Sequence, residues 1–260
     1  MLHINKALLS PCVRARQDSV LPQDWPAVLA RRARETRHAA LKNYYLSGMP
    51  SPDTPLSDVP LLAMDFETTG LNPQHDDIVS IGLLPMSLSR IRIQGSQHWI
   101  LNPRADLRTE SVVIHGITHS AIARAPDLNA VLLRLLAMMA GNVMVVHHKG
   151  IEQPFLDAAF KKRIGEGIVF PCIDTLTLEA RVIAAQRQNG WRQKWWRPRP
   201  RLSLRLSDCR ARYHLPHYPA HNALTDALGC AELLQAQIAH HFSASTLLGD
   251  FGSPVGSRFL

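Results

Sequence analysis

Residues 61–70 combine an apolar run with two carboxylates and a turn that contains glycine. The run at 61–64 is typical of a buried strand, and the next six residues read Asp-Phe-Glu-Thr-Thr-Gly. Side chains two positions apart on a strand point the same way, so Asp65 and Glu67 would project side by side. Adjacent carboxylates repel each other unless a cation lies between them, and oxygen ligands suit Mg²⁺ or Mn²⁺. The segment therefore indicates either half of a metal site at the end of a core strand or a solvated strand end.

A second group of polar residues stands at the start of a helical pattern near the C-terminus. His221 and Asp226 lie in the sequence His-Asn-Ala-Leu-Thr-Asp, and apolar residues then recur at three- and four-residue steps. That spacing predicts an amphipathic helix with Asp226 in its first turns. The carboxylate can supply a further metal ligand, and the histidine can accept a proton near neutral pH. An ordinary surface helix would also fit these residues.

Together the two motifs resemble those of the DEDDh 3′-to-5′ exonucleases, which include the proofreading epsilon subunits of bacterial DNA polymerases. That family has D-x-E in its first motif, which Asp65 and Glu67 match. It has H-x-x-x-x-D in its third motif, which His221 and Asp226 match. Residues 114–118 (Ile-His-Gly-Ile-Thr) are also similar to the family's helix and turn between the first two motifs.

The second motif departs from the family pattern H-N-A-x-F-D-x-x-F-L. Residues 147–156 align with it, and the family's Asp then falls on Glu152 and its Asn on His148. Glutamate keeps the charge and extends the side chain by about 1.5 Å, so it can still reach a metal or a metal-bound water. Asp157 is the competing candidate. Glu152 could instead only favour a helix N-terminus, or the site could be degenerate, and His147 and His148 are interpreted as a structural pair.

The resemblance implies a hydrolytic site with two divalent ions, Mg²⁺ or Mn²⁺, about 3.5–4 Å apart. His221 would be the general base, and the product would be a nucleoside 5′-monophosphate released from a 3′ end. The main chain near Thr68 and the side chain of Leu71 would hold the terminal nucleotide, although Leu71 could equally be a core residue. The implied metal ligands are Asp65, Glu67, Asp226 and, directly or through water, Glu152.

The positive charge of the chain is concentrated in one segment. The formal net charge is +8, and residues 187–212 hold nine Lys or Arg, one acid and three of the five tryptophans. Cations interleaved with indoles suit single-stranded nucleic acid, because phosphates pair with Arg and bases stack on Trp. Arg192, Trp195 and Trp196 are therefore candidate strand contacts. A solvated loop whose tryptophans cover a hydrophobic edge would have the same composition.

The remaining composition points to a cytoplasmic protein without a membrane span. The four cysteines are scattered without C-x-x-C spacing, so they indicate reduced thiols rather than a zinc or disulfide framework. No apolar stretch approaches the length of a bilayer span, and the N-terminus lacks the pattern of a signal peptide.

The order of predicted elements indicates an α/β fold in three parts. Residues 1–58 form a helical extension and a proline-containing linker, 59–242 an exonuclease domain, and 243–260 a tail that we expect to be poorly ordered. Strands are predicted at 61–67, 77–85, 90–100 and 143–147, and helices at 24–46, 127–140, 152–163, 174–187, 202–212 and 221–240. This order suggests a mixed sheet flanked by helices. The resemblance implies the ribonuclease-H-like fold with a five-stranded mixed sheet, and the extension is interpreted as a brace on the core.

Three functions follow from these features, in order of preference. The first is a 3′-to-5′ exonuclease acting on DNA in replication proofreading or repair, with a DNA polymerase as candidate partner. The second is the same chemistry on RNA. The third is a catalytically silent module that binds nucleic acid, in which Glu152 marks decay of the site. The expected ligand is a single-stranded 3′ end, with DNA ranked ahead of RNA.

Overall fold

The computed structural model describes residues 24–105, 116–189 and 202–252. Within these residues five strands form one mixed sheet, in the order β3-β2-β1-β4-β5. The strands are β1 (Leu61–Thr68), β2 (Ile78–Met86), β3 (Gln97–Ile100), β4 (Val143–Val146) and β5 (Cys172–Asp174). β1 is antiparallel to β2 and parallel to β4. The carboxyl end of the central strand β1 thus lies beside the carboxyl end of β4, where α/β proteins commonly bind ligands.

Helices flank this sheet, as predicted. The described helices are α1 (Trp25–Glu35), α2 (Ala39–Leu46), α3 (His119–Ala123), α4 (Leu128–Met139), α5 (Lys149–Ile164), α6 (Thr175–Asn189), α7 (Leu206–Arg212) and α8 (Ala223–His241). α8 packs on β1 and β2, and α6 and α7 pack against α8. Among the described helices, none has the length and apolar character that crossing a membrane would require.

Some predicted elements are wrong in extent. The strand predicted at 90–100 begins only at Gln97, because Ile93–Gly95 form a 3-10 turn and Ile91 makes an isolated bridge to Met86. The helix predicted at 202–212 begins at Leu206. The short elements β5 and α3 were not predicted, since three to five residues carry too little periodicity to identify a strand or a helix.

The single helix predicted at 24–46 is two helices, because a contact with the domain opens the chain between α1 and α2. The Glu166 carboxylate accepts hydrogen bonds from Thr36 Oγ1, from Arg37 N at 3.0 Å and from His38 N at 3.1 Å. Apolar residues of both helices join the hydrophobic core of the sheet. The extension therefore packs on the domain as a brace.

The prediction of a poorly ordered tail is wrong for residues 243–252. Leu248 is buried, and its N–H donates to Thr54 O at 2.9 Å. The N–H of Leu56 donates to Thr246 O, also at 2.9 Å. The segment that leads into the sheet and the segment that leaves the last helix therefore lie side by side.

Candidate active site

β1 presents two carboxylates on one face of the sheet. Glu67 is 5% exposed, and Asp65 is partly buried. In the antiparallel register with β2, Asp65 lies opposite Gly82 and Glu67 opposite Ser80. Because paired residues of antiparallel strands project from the same face, these four positions form one patch.

α8 brings a third carboxylate to this patch. The helix is capped by the Asn222 side chain, which accepts a hydrogen bond from Thr225 N at 3.1 Å, and Asp226 lies in the first turn. Carboxylate oxygens of Asp65, Glu67 and Asp226 all lie within 4.8 Å of one another. The fold therefore joins the first and third motifs in a single acidic cluster.

A glycine in β2 allows α8 to approach so closely. A Cβ atom at Gly82 would lie 2.3 Å from the carbonyl carbon and oxygen of Ala223, which is too short for any real contact. Gly82 is opposite Asp65 in the sheet, so the helix starts directly over the acidic cluster. Sequence reasoning missed Gly82, although an isolated glycine within a strand pattern is a signal for the close approach of another backbone.

Glu152 lies beside the acidic cluster, in the first turn of α5. It is 3% exposed, and its charge acts on Asp65. Its Oε2 atom is buried and has no hydrogen-bond partner in the described part of the chain. A buried carboxylate oxygen without a partner is costly, and a bound cation would remove that cost.

Asp157 lies on another face of α5. Five residues along an α-helix correspond to a rotation of about 140°, so Glu152 and Asp157 cannot both face the cluster. The Asp157 carboxylate instead accepts a hydrogen bond from Lys161 Nζ at 2.6 Å, at the exposed side of the helix. The structure therefore brings Glu152, and not Asp157, to the other carboxylates.

The electrostatics of the cluster favour a cation. Burial raises the pKa of the Asp65 carboxyl well above its usual range, and the charges of Glu152, Asp226 and Glu67 raise it further. Burial also raises the pKa of Asp226. The hydrogen bond that His221 N donates to the Asp226 carboxylate at 2.8 Å lowers this pKa, but by less than burial raises it. A set of carboxylates that repel one another in a confined space matches the preference of a hard divalent cation for oxygen ligands.

Comparison with known proteins identifies the family. The family profile described as Exonuclease (RNase_T) matches residues 62–234, which include the acidic cluster. The chain belongs to this exonuclease family. This is the family that the first and third motifs predicted, that of the DEDDh 3′-to-5′ exonucleases.

Relatives of this exonuclease carry names from DNA polymerase III. A "DNA polymerase III PolC-type" protein of Thermotoga maritima is 32% identical over 133 residues, which are 49% of this chain and 9% of the relative. A "DNA polymerase III subunit epsilon-like protein" of Rhodobacter capsulatus is 30% identical over 69% of this chain and 24% of the relative. The epsilon subunit of Treponema pallidum is 24% identical over 70% of this chain and 78% of the relative. The exonuclease thus spans only a small part of the PolC-type relatives.

Solved exonucleases share the fold. Exonuclease X, in complex with a duplex DNA that has a 5′ overhang, superposes with a TM-score of 0.54 at 20% identity, over 74% of this chain and 99% of that one. E. coli exonuclease I with single-stranded DNA gives a TM-score of 0.58 at 17% identity, over 70% and 40% of the chains. The nuclease domain of 3′hExo, a DEDDh family member bound to rAMP, gives 0.53 at 15% identity, over 72% and 94%.

His221 stands at the edge of the exonuclease site, just before α8. Its side chain is exposed, and its backbone adopts the left-handed region with φ of 73°. This conformation is uncommon for a residue other than glycine. Here it is held by the hydrogen bond from His221 N to Asp226. An exposed imidazole beside the acidic cluster is accessible to water.

The loop after β1 presents Leu71 to solvent. Leu71 is 72% exposed, which excludes its interpretation as a core residue, and Thr68 Oγ1 donates to Gly70 O at 2.6 Å. The far end of the loop is fixed by an ion pair between Asp77 and Arg163 at 2.9 Å, with both side chains buried. The other candidate substrate contacts, Arg192, Trp195 and Trp196, lie outside the described residues and remain predictions.

Asp174 is a further residue near the exonuclease site that sequence reasoning missed. It is buried at the end of β5. Burial of Glu152 is the main cause of that residue's raised pKa, and the charge of Asp174 raises it further. Its carboxylate accepts hydrogen bonds from Leu176 N at 3.0 Å and Thr177 Oγ1 at 2.8 Å, which caps α6. An acidic residue between an apolar run and a helical pattern was the available signal.

The two histidines after β4 have different environments. His147 Nδ1 lies 2.8 Å from Thr175 Oγ1, and its Nε2 donates to Leu204 O at 2.9 Å. Burial lowers the pKa of His147, which suits this structural role. His148 is exposed immediately before α5.

Proposed function

We propose that this chain is a metal-dependent exonuclease that removes nucleoside 5′-monophosphates from the 3′ end of DNA. The observation that carries this proposal is the convergence of Asp65, Glu67 and Asp226 within 4.8 Å, beside the buried Glu152. The names of the relatives, which are polymerase III proteins, support DNA as the substrate. Proofreading or repair, a polymerase partner and a cytoplasmic location are parts of the same proposal.

The residues present fit Mg²⁺ or Mn²⁺. All the possible metal-binding atoms in the cluster are carboxylate oxygens. Oε2 of Glu152, which has no hydrogen-bond partner among the described residues, adds one more. Asp65, Glu67, Asp226 and Glu152 would hold the metal, with Asp65 central to the set. Two divalent ions bound there would lower the pKa of a water and stabilise the negative charge that develops on the leaving oxygen.

His221 would act as the general base. The exposed imidazole takes a proton from the water that attacks the phosphorus of the last phosphodiester. The bond between that phosphorus and the 3′ oxygen of the preceding nucleotide then breaks. The 3′ oxygen is protonated from solvent, and the terminal nucleotide leaves as a 5′-monophosphate. His221 is suited to this step because the turn that carries it is fixed to Asp226 by the main-chain hydrogen bond.

The loop after β1 would hold the terminal nucleotide. Leu71 projects into solvent next to the strand that carries Asp65 and Glu67, so its apolar side chain can contact a base. Thr68, at the end of β1, offers its main chain to the terminal sugar. Arg192, Trp195 and Trp196 would contact the strand further from its end.

Two alternatives are kept for specific reasons. RNA remains a candidate substrate because a neighbour of the same fold, 3′hExo, is bound to rAMP. A silent binding module remains a candidate because Glu152 replaces the Asp of the family motif. A single assay distinguishes these two alternatives from the proposed DNA exonuclease.

The test uses 5′-labelled single strands of DNA and RNA of the same sequence, with Mg²⁺ or Mn²⁺ and with EDTA. We expect shortening from the 3′ end, faster on DNA, with release of 5′-mononucleotides, and no reaction in EDTA. Asp65→Asn is expected to lower the rate to about 1% of wild type or less, because it removes a metal ligand. Faster shortening of RNA would replace the proposed substrate, and an inactive wild type that binds both strands would establish the silent module.

A further inference from the structure

A polar pair on β2 and β3 lies beside the acidic cluster and has no role in the proposed mechanism. Ser80 is fully buried, and its Oγ lies 2.8 Å from Nε2 of His98. His98 is exposed on β3, the edge strand of the sheet. Ser80 is opposite Glu67, and His98 is opposite Gly82, which is itself opposite Asp65. Residues paired in this way share a face, so His98 lies on the face of the sheet that carries the cluster.

The distance and the neighbours of His98 suit contact with the substrate. Strands in a sheet are about 4.8 Å apart, so His98 is about 10 Å from Asp65 along the row. The start of α8 lies over Gly82 between them, and His221 comes two residues before that helix. The imidazole of His98 therefore borders the acidic cluster on the side opposite β4.

The hydrogen bond to Ser80 determines which ring nitrogen of His98 carries the proton. A buried hydroxyl group must donate its hydrogen, and among the described residues His98 Nε2 is the one acceptor that Ser80 Oγ contacts. Nε2 then accepts, and the hydrogen of the neutral ring is on Nδ1. Burial lowers the pKa of His98, against the charge of Glu67, and so favours the neutral ring. In an exposed residue whose Nε2 is engaged in this way, Nδ1–H is the donor left for a ligand.

We propose that His98 is a substrate-binding residue, whose Nδ1–H donates a hydrogen bond to the sugar-phosphate backbone of the nucleic acid strand next to the scissile bond. Ser80 is its positioning residue. The inference rests on the proposed function, because it requires a strand whose end lies in the acidic cluster. A neutral donor suits this place, since it binds a phosphate oxygen without forming an ion pair with the carboxylates nearby.

The test compares two substitutions of similar size in the full chain. His98→Phe keeps an aromatic ring at the edge of the sheet and removes the N–H, whereas His98→Gln keeps an acceptor for Ser80 and an outward donor. His240→Ala is the control, because His240 lies about 21 Å along α8 from Asp226. The ligand is a fluorescent single-stranded DNA with phosphorothioate linkages at its 3′ end, titrated in Mn²⁺ and followed by anisotropy.

We expect His98→Phe to weaken strand binding by about 10-fold or more, as loss of one hydrogen bond to a charged group predicts. His98→Gln and His240→Ala should stay within about 2-fold of wild type. Mn²⁺ affinity without the strand, measured calorimetrically, should be unchanged in all variants, whereas the melting temperature of His98→Phe should fall because the buried Ser80 hydroxyl loses its acceptor. If His98→Phe does not fold, His98→Ala at the same exposed position repeats the comparison.

Two results would overturn the inference. If His98→Phe binds the strand with an affinity within 2-fold of wild type, the His98 ring makes no contact with the strand. If wild type itself does not bind the strand, the inference fails as well. A parallel fall in Mn²⁺ affinity would mean that His98 acts through Glu67. If wild type binds the protected strand but leaves an unprotected one intact, the proposed function fails, while the binding comparison still decides the role of His98.

Discussion

Glu152 is the residue whose chemistry decides whether the acidic cluster is complete. It stands in the position of the family's Asp, and its longer side chain places beside Asp65 a buried oxygen that has no hydrogen-bond partner among the described residues. Asp157 is held by Lys161 at the exposed side of the same helix. The two carboxylates have the same charge and lie only five residues apart, so they form a matched pair for substitution.

Glu152→Gln should lower the rate of mononucleotide release by about 100-fold or more, because the amide is a poor ligand for a divalent cation. Asp157→Asn should leave the rate within about 2-fold of wild type, since it removes only an exposed ion pair. Initial rates on labelled DNA in Mn²⁺ measure both. The opposite ranking would show that the second-motif alignment is displaced and that Asp157 is the ligand.

At the residue scale, where the role of His221 stays a prediction, sequence spacing was sufficient for the three carboxylates of the first and third motifs that the structure brings together. It was not sufficient for Gly82, Asp174 and His98. The position of each beside the acidic cluster depends on contacts between elements that are distant in sequence. Such contacts depend on strand order and register, which cannot be read from the residue pattern of any single segment.

The start of α8 is the element that assembles the site. The helix reaches the sheet only because β2 has no side chain at Gly82. Gly229, further along α8, has ordinary surroundings, and a Cβ there would meet its nearest neighbour, Leu206, at 3.4 Å.

Gly82→Ala should therefore displace the first turn of α8 and lower activity by about 100-fold, since a shift of about 1 Å in a catalytic group has effects of this size. Mn²⁺ affinity should fall with it, because Asp226 moves away from Asp65 and Glu67. Gly229→Ala should leave both quantities close to wild type. Turnover on labelled DNA and calorimetric Mn²⁺ binding are the measurements, and an unchanged Mn²⁺ affinity in Gly82→Ala would show that the close approach does not set the position of Asp226.

At the element scale, long periodic segments such as α4, α5 and α8 were predicted within a few residues. The break between α1 and α2 was not, because Glu166, far along the chain, captures the main-chain N–H groups of the turn. The late start of the strand predicted at 90–100 likewise follows from a local 3-10 turn that alternation of apolar residues does not reveal.

For the whole molecule, the buried carboxylates lower the stability of the metal-free protein. Burial raises the pKa values of Asp65, Glu152 and Asp226 in the folded state. A raised folded-state pKa contributes stability that is fully present below the unfolded-state pKa and is lost as the pH rises through the folded-state pKa. The metal-free fold should therefore be weakened at neutral and alkaline pH.

In EDTA at pH 8, Glu152→Gln should be more stable than wild type by about 1 kcal/mol, or about 2–4 °C in melting temperature. The difference should shrink as the pH falls toward the ordinary glutamate pKa, because wild type then becomes protonated and loses its penalty. Mn²⁺ should raise the melting temperature of wild type more than that of the variant. Thermal melts of both proteins and of Asp157→Asn across this pH range provide the check. Equal stability of wild type and Glu152→Gln at pH 8 would contradict the prediction.

The fold class followed from the order of elements and from the family resemblance, and the structure confirms the mixed five-stranded sheet. The extension was interpreted as a brace, but neither its contacts nor the docking of residues 243–252 followed from the sequence. Thr246 and Leu248 are too few to form a pattern, whereas the buried Trp25, Leu29 and Ala33 recur at four-residue steps, and only the structure shows the surface on which they pack.

The paired segments at 54–56 and 246–248 have a consequence for how this domain can be used. Because the chain enters and leaves at hydrogen-bonded neighbours, a host protein could carry the domain within a surface loop without separating the two sides of that loop. A unit with adjoining ends can also stand by itself. The same architecture therefore suits an insert in a long polypeptide and an independent subunit.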